Sequence, residues 1–337
     1  QLNEASSNPF TRSKYDSKFA TDFQQQMDNA KNEMLQRLQM LSQIEVGNEV
    51  HVWNRTPAKA DALVKRYVAE GRFQGSVLVK WKDTVLFDRS YGKANAEWGT
   101  QFSAKTRFRI ASLTKGFTAV AVLQLEERGL LSVSDPINKY YPEAPREWSG
   151  ITIEHLLRHT SGIANYSVPP DWDMRKAMTP AEAVASVHGV PLAFAPGTRF
   201  QYVNTGYVLA GLIVERVSRM SYESYLRENI INRIGLENTG YDRTELLSAE
   251  RASGYTGDGL RPRNAAFIDM TSPSGAWGMY STVDDLRRWL DALDNGQLIG
   301  PESYKKMMTP GLADYGYGVI RGSEMGSDYY VHDGGIP

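Results

Sequence analysis

The chain has no cysteine among its 337 residues. That excludes disulfides, thiolate metal sites and a cysteine nucleophile, and leaves the compartment undetermined. No apolar run approaches the ~18 residues that a membrane-spanning helix needs. Charge of either sign is not in excess: 38 Lys+Arg face 39 Asp+Glu, a net −1. Neither nucleic acid nor an anionic membrane surface is therefore an expected partner. The G-x-S-x-G turn of α/β-hydrolases is absent. His155 and His159 stand four apart, but no Glu follows His155. The zinc pattern H-E-x-x-H thus fails, structural roles are expected for both, and neither a metal nor another cofactor is expected.

With 41% hydrophobic and 23% charged residues, the chain can bury a sizeable core in one large or two modest domains. Residues 1–56 stand apart. The first 16 are polar and rich in Ser and Asn, whereas 19–44 carry a helical pattern: Phe23, Met27, Met34, Leu35, Leu38, Leu41 and Ile44. That helix reads either as a self-association surface or as a helix packed on its own domain. The first residue is Gln1 rather than Met. A removed signal peptide, and hence a periplasmic or extracellular protein, is the expectation; a trimmed chain is the alternative.

Residues 57–337 read as the main domain. A helix is expected at 58–70, a hairpin from strands 75–81 and 84–89, and helices at 152–159, 181–188, 207–217, 222–231 and 283–293. Strands return at 315–320 and 328–332. Strands, then helices, then strands predict an α+β fold. Its antiparallel sheet would come from both chain ends, flanked by helices, with an all-helical subdomain over about 130–270.

Ordinary composition gives a chain of this length about one chance S-x-x-K. There are three: Ser90/Lys93, Ser112/Lys115 and Ser303/Lys306. Ser90 lies at a strand exit, and Ser303 precedes an exposed-looking Lys-Met-Met run. Only Ser112 opens an apolar stretch, Phe117-Thr118-Ala119-Val120-Ala121-Val122-Leu123, that predicts a helix buried nearly all round, ending at Gly129. Residues three apart on a helix are neighbours. A helix start offers unpaired N–H groups to an oxygen that must become negative. A desolvated lysine one turn on can lose its proton and act as a base. The bland reading is an N-cap serine beside a solvated lysine.

Two more motifs complete a set. Tyr202-Val203-Asn204 is the only Y-x-N, and His332-Asp333-Gly334 is the only H-x-G, closing an expected strand. Taken alone, the first is also a turn tyrosine with an Asx-turn, and the second a surface histidine at a strand end. Tyr166, Trp172 and Trp277 are candidates to line a cleft, although aromatics are more often core.

In order, spacing and setting these motifs resemble the serine β-lactamase and penicillin-binding-protein superfamily, where S-x-x-K is paired with a second polar motif and a K-T-G strand. The match is closest to the branch of class C β-lactamases, D-Ala-D-Ala carboxypeptidases, D-aminopeptidases and related esterases. Glu154-His155-Leu156-Leu157-Arg158-His159-Thr160-Ser161-Gly162-Ile163, Phe194-Ala195-Pro196-Gly197 and Ser281-Thr282-Val283-Asp284-Asp285-Leu286 are similar to the same branch. The resemblance covers roughly 58–337.

It implies a β-lactamase/transpeptidase-like fold and an acyl-enzyme on Ser112. Lys115 and Tyr202 would share base duty, either through neutral Lys115 or through a Tyr202 phenolate. Asn204 would orient Lys115 and hold the substrate amide. His332 would bind a substrate carboxylate or assist proton transfer. Gly334 and Gly335 would let substrate lie along the strand, with the N–H groups of Ser112 and Gly335 as oxyanion hole. The substrate would be a small molecule or peptide with an amide, ester or β-lactam carbonyl. H-x-G in place of K-T-G leans toward a D-Ala-D-Ala carboxypeptidase or D-amino-acid amidase. The alternatives are a class C-like β-lactamase, a carboxylesterase, or a catalytically idle penicillin-binding or scaffold module. Relatives continue past this strand, so the resemblance also implies a domain lacking its C-terminal strands and helix.

Overall fold

A computed structural model of the chain describes residues 57–336, apart from 168, 170, 171, 246, 258–260, 325 and 326. The helix expected at 19–44 lies outside the described residues. The chain divides into two compact units, Gln1–Ala62 and Leu63–Pro337. Helix α1 (Pro57–Ala69) runs across that boundary, and every later element belongs to the second unit.

Strands β1 (Gly75–Trp81) and β2 (Thr84–Tyr91) form the expected antiparallel hairpin, with a register shift at Val79/Lys80. Lys82 turns it at φ 50°. Strands β3 (Lys93–Asn95) and β4 (Thr100–Gln101) make a second small ladder. Strand β5 (Phe108–Arg109) then leads into helix α2 (Thr114–Glu127). Every residue of α2 from Thr114 to Leu125 is buried, as its unbroken apolar run requires.

Helices α3 (Ile153–Leu157), α4 (Pro180–Ala185) and α6 (Tyr222–Leu226) pack on α5 (Asn204–Ser218), which in turn packs on α2. Three two-residue strands accompany them, β6 (Gly240–Tyr241), β7 (Tyr255–Thr256) and β8 (Arg263–Asn264), so the region 130–270 is helical in the main but not throughout. The helix expected over 222–231 stops after five residues, and a π turn takes over at Arg227–Ile231.

Helix α7 (Ser274–Trp277) and strand β9 (Met279–Ser281) come next. Strand β9 pairs with both β5 and β6, making a three-stranded sheet in the order β5-β9-β6. Buried Asp242 pins this sheet, accepting from Arg109 Nε at 2.6 Å and Arg251 Nη1 at 2.7 Å. Helix α8 (Val283–Asp294) starts on a Thr282 cap that accepts from Asp285 N. Helix α9 (Pro301–Met308), not anticipated from the sequence, carries Ser303 buried and Lys306 2.7 Å from Glu126.

The last hairpin is β10 (Ile320–Glu324) with β11 (Ser327–Val331). Its first strand starts five residues later than expected, because Tyr315 and Tyr317 are drawn into the interior, each 1% exposed. Gly318 lies there with φ 69°, and a Cβ on it would sit 2.7 Å from the Lys115 carbonyl. A ladder strand cannot press on a helix start in this way. Among the described residues the two end hairpins each pair only within themselves, so the strands from the chain ends form two separate ladders.

Candidate active site

Ser112 does not sit in the helix proper. It occupies a 3₁₀ turn, Ala111–Leu113, that links β5 to α2. Ala111 just before it holds φ 45°, a region that residues with a side chain enter at a cost. Ile110 N donates to Met279 O at 3.0 Å, which anchors the turn to β9. Lys115 is the second residue of α2, fully buried.

Its Nζ has three polar neighbours: Ser112 Oγ at 3.0 Å, Asn204 Oδ1 at 2.9 Å and Ala276 O at 2.9 Å. The rings of Tyr202 and Tyr207 lie 4.7 and 5.6 Å away. The Tyr202 hydroxyl hydrogen-bonds to Ser112. The structure thus gathers Ser112, Tyr202 and Asn204 round the Lys115 amine.

Each partner has a local reason for its place. Helix α5 begins at Asn204, three residues before the expected start, so Asn204 is set by the first turn of a buried helix. The carbonyl of Ala276 is presented by α7, which lies tight against α2 and α5. A Cβ on Gly275 would stand 2.5 Å from Tyr207 O and 3.1 Å from Thr118 Oγ1, a space that only glycine fits. Ser274, at the head of α7, has φ 35°. Unfavourable backbone at Ala111 and Ser274 flanks the site on both sides, where the surrounding packing can hold it.

Burial governs the electrostatics. It drives the Lys115 amine well below its ordinary pKa, against the opposing pull of the Asp333 carboxylate. It drives the Tyr202 phenol upward; the Ser112 hydrogen bond works the other way, and the charge of Asp333 adds to the rise. In the resting site the lysine is the easier group to deprotonate.

His159, expected to be structural, forms the wall behind Tyr202. It is fully buried, its ring centroid lies 4.2 Å from that of Tyr202, and its Nδ1 accepts from Val203 N at 3.2 Å. Burial, with Lys115 and His332 adding to it, pushes its pKa well down, so it stays neutral. His155 closes a capping box with Thr152 at the start of α3, 3.2 Å from Thr152 N, a purely structural job. Of the expected cleft aromatics, Tyr166 is core at 2% exposure and accepts from Trp277 Nε1 at 2.9 Å. Trp172 packs edge-on to it.

The segment 332–335 leads on from β11. A Cβ on Gly334 would lie 2.4 Å from Ile110 O, so the chain runs directly against the turn that carries Ser112. Gly335 has open space beside it. His332 departs from expectation. Its Nδ1 lies 2.6 Å from Asp333 O and its Nε2 2.9 Å from the Tyr315 hydroxyl. A carbonyl only accepts, so Nδ1 carries the proton and Nε2 accepts from Tyr315. Both ring nitrogens are occupied within the chain, which leaves no N–H for a substrate carboxylate. Burial first, then Lys115, pushes its pKa down to about 4, so it is uncharged at neutral pH.

Among the described residues no group of three or more acidic or histidine side chains is placed to hold a metal ion. Among them, too, no helix is long and apolar enough to cross a membrane.

The fold defines the class, a β-lactamase/transpeptidase-like α+β domain. Residues 60–336 match the family described as Beta-lactamase, and the chain belongs to that family. It is 31% identical over 293 residues to Penicillin-binding protein 4* of Bacillus subtilis (strain 168), covering 79% of this chain and 64% of that protein. A penicillin-binding protein from Bacillus halodurans is similar with a TM-score of 0.70 at 31% identity, over 79% of this chain and 85% of that one. The D-amino acid amidase from Ochrobactrum anthropi SV3, complexed with L-phenylalanine amide, is similar with a TM-score of 0.72 at 25% identity, over 82% and 83%. The chain spans 64% or less of the length of the first curated relatives it matches.

Proposed function

We propose that the chain is a serine hydrolase and acyltransferase working through an acyl-enzyme on Ser112, with an amide of the D-Ala-D-Ala or D-amino-acid type as substrate. The observation that carries this reading is the environment of Lys115 Nζ: a buried amine whose three polar neighbours are two carbonyl oxygens and the Ser112 hydroxyl. A neutral amine has two N–H groups and one lone pair. Asn204 Oδ1 and Ala276 O can only accept, so they take the two N–H groups. The lone pair is left for the Ser112 proton.

The reaction is a consequence of that arrangement. Lys115 takes the Ser112 proton as Oγ attacks the carbonyl carbon. The new ammonium then has three donors for three acceptors, one of them the oxygen it has just deprotonated, so Lys115 keeps the same three partners. The N–H groups of Ser112 and Gly335 are the proposed hole for the carbonyl oxygen, each worth on the order of 10²–10³ in rate. The proton passes by way of Tyr202 to the leaving amine as the carbon–nitrogen bond breaks. Water or another amine then takes the acyl group from Ser112 by the reverse sequence. Tyr202 acts here as a relay and not as a resting phenolate, because burial opposes its ionisation.

The names of two relatives, a penicillin-binding protein and a D-amino acid amidase, support the amide reading. A catalytically idle scaffold has no use for a desolvated amine, whose burial costs folding energy. Export to the periplasm or the extracellular space belongs to the same proposal and is tested by fractionating the producing cells.

The substrate reading is tested with D- and L-alanine amides, a D-Ala-D-Ala peptide, a cephalosporin and short-chain p-nitrophenyl esters. The expected result is turnover of D-configured amides with a preference over L of about tenfold or more. Hydrolysis of the cephalosporin faster than any amide would move the activity to the β-lactamases. No adduct and no turnover with any of them would overturn the enzyme reading.

A further inference from the structure

On the proposed reading, a carbonyl at Ser112 is the reacting centre, and substrate selection by charge rests on that reading. The segment 332–335 would flank the substrate, so its charge bears on what binds. The sequence suggests His332, at the start of that segment, as an anchor for a substrate carboxylate. The structure offers no charged group for that role there.

His332 is neutral, and both its ring nitrogens are engaged. The next residue, Asp333, is exposed. Gly334 is held against Ile110 O and Gly335 has open space beside it, so Asp333 stands at the rim of the turn that carries Ser112. Its carboxylate bears electrostatically on Lys115, Tyr202, Tyr315 and His332. No arginine, and no lysine besides Lys115, does so for Lys115, Tyr202 or His332 among the described residues. His159 and Tyr207, which pack behind, are pushed by burial toward their neutral forms. Arg321, the cation on the neighbouring strand β10, is 2.8 Å from Asp328 and committed to it. With Lys115 neutral, the rim carries one negative charge and no positive one among the described residues.

We propose that Asp333 selects substrate by charge, favouring an acyl compound with a free ammonium group, such as an aminoacyl amide or ester, over one with a carboxylate in the same place. A unit charge a few ångströms away at an exposed site is worth a factor of about two to five per partner. The preference has an opposite sign for ammonium and carboxylate, so the two effects multiply in their ratio.

The test uses three alkyl fluorophosphonates of equal length, ending in a trimethylammonium, a neutral methyl ether and a carboxylate. Labelling rates at Ser112 are measured for the full chain and for Asp333→Asn. The wild type should label fastest with the ammonium probe and slowest with the carboxylate probe. Asp333→Asn should lower the ammonium-to-carboxylate ratio by about fivefold or more. Raising the salt should shrink the wild-type ratio toward that of the variant. The substitution also removes a charge that acts on Lys115, but that change affects all three probes alike and cancels in the ratio. It leaves the Asp333 carbonyl that His332 uses in place.

A ratio that the variant does not change, or a wild-type preference for the carboxylate probe, would overturn the inference while leaving Ser112 as nucleophile. Failure of all three probes to label Ser112 in the wild type would instead overturn the nucleophile reading, and this inference with it.

Discussion

Ser112→Ala should abolish covalent capture by fluorophosphonates and lower turnover by roughly 10⁴–10⁶-fold, the scale seen when a catalytic nucleophile is removed. The loss has a geometric cause. The Ser112 hydroxyl lies within hydrogen-bonding distance of Lys115 Nζ, at 3.0 Å. Neither of the other two S-x-x-K serines has such a partner. Ser90 lies on β2 with its Oγ 2.8 Å from Ser76 Oγ. Ser303 is buried on α9, and Lys306 is tied to Glu126. Ser90→Ala and Ser303→Ala should therefore keep the adduct. Intact-mass measurement reads the outcome directly, and an adduct that persists in Ser112→Ala would remove Ser112 from the mechanism.

Lys115→Ala and Tyr202→Phe should each slow acylation by roughly 10²–10⁴, the range of a general base or acid. The double variant should lose less than the product of the two factors. In the proposed mechanism both groups act on the same proton, Lys115 from 3.0 Å and Tyr202 through its own hydrogen bond to Ser112. Groups that work as one unit are not additive, because the first removal already disables the second. Single-turnover kinetics on the four proteins form the cycle. Strict additivity would mean that lysine and tyrosine serve separate steps. Because Lys115→Ala leaves Asn204 Oδ1 and Ala276 O without their donor, a circular dichroism spectrum matching the wild type accompanies the measurement.

Much of this site was readable in the sequence, for an identifiable reason. The side chains proposed to react lie in short local motifs, and one of them heads an apolar run that reads as a buried helix. Ser112, Lys115, Tyr202 and Asn204 fall together as those motifs imply. The parts that sequence did not show are long-range or made of backbone. Ala276 contributes a carbonyl, which every residue has, from 161 positions away. Its place depends on Gly275 fitting between α2 and α5, and a lone glycine signals that only weakly.

His159 and Tyr315 look like ordinary core residues in the sequence. Their roles, backing Tyr202 and occupying His332 Nε2, arise only when strands and helices far apart in the chain meet. The strand expected from Tyr315 fails because its alternating aromatics face the interior of a turn and not a ladder. Alternation of residue types alone cannot distinguish the two. The π turn after α6 and the helix α9 belong to the same class of miss: local propensity was overridden, or too weak to read.

At the centre of the proposed mechanism, a neutral Lys115 takes the Ser112 proton. The most direct test is the pH dependence of single-turnover acylation with an uncharged probe. Burial lowers the folded-state pKa of Lys115, so the catalytically competent neutral form is lost only as pH falls through that lowered value. The rate should therefore rise with pH through one ionisation well below 10.5 and then level off. His332, already neutral above a pKa of about 4, should add nothing to that limb. Tyr202→Phe should lower the plateau and leave the limb in place. A rate that keeps climbing toward pH ~10 and beyond, where an ordinary lysine titrates, or a limb that vanishes in Tyr202→Phe, would show that the base is not Lys115.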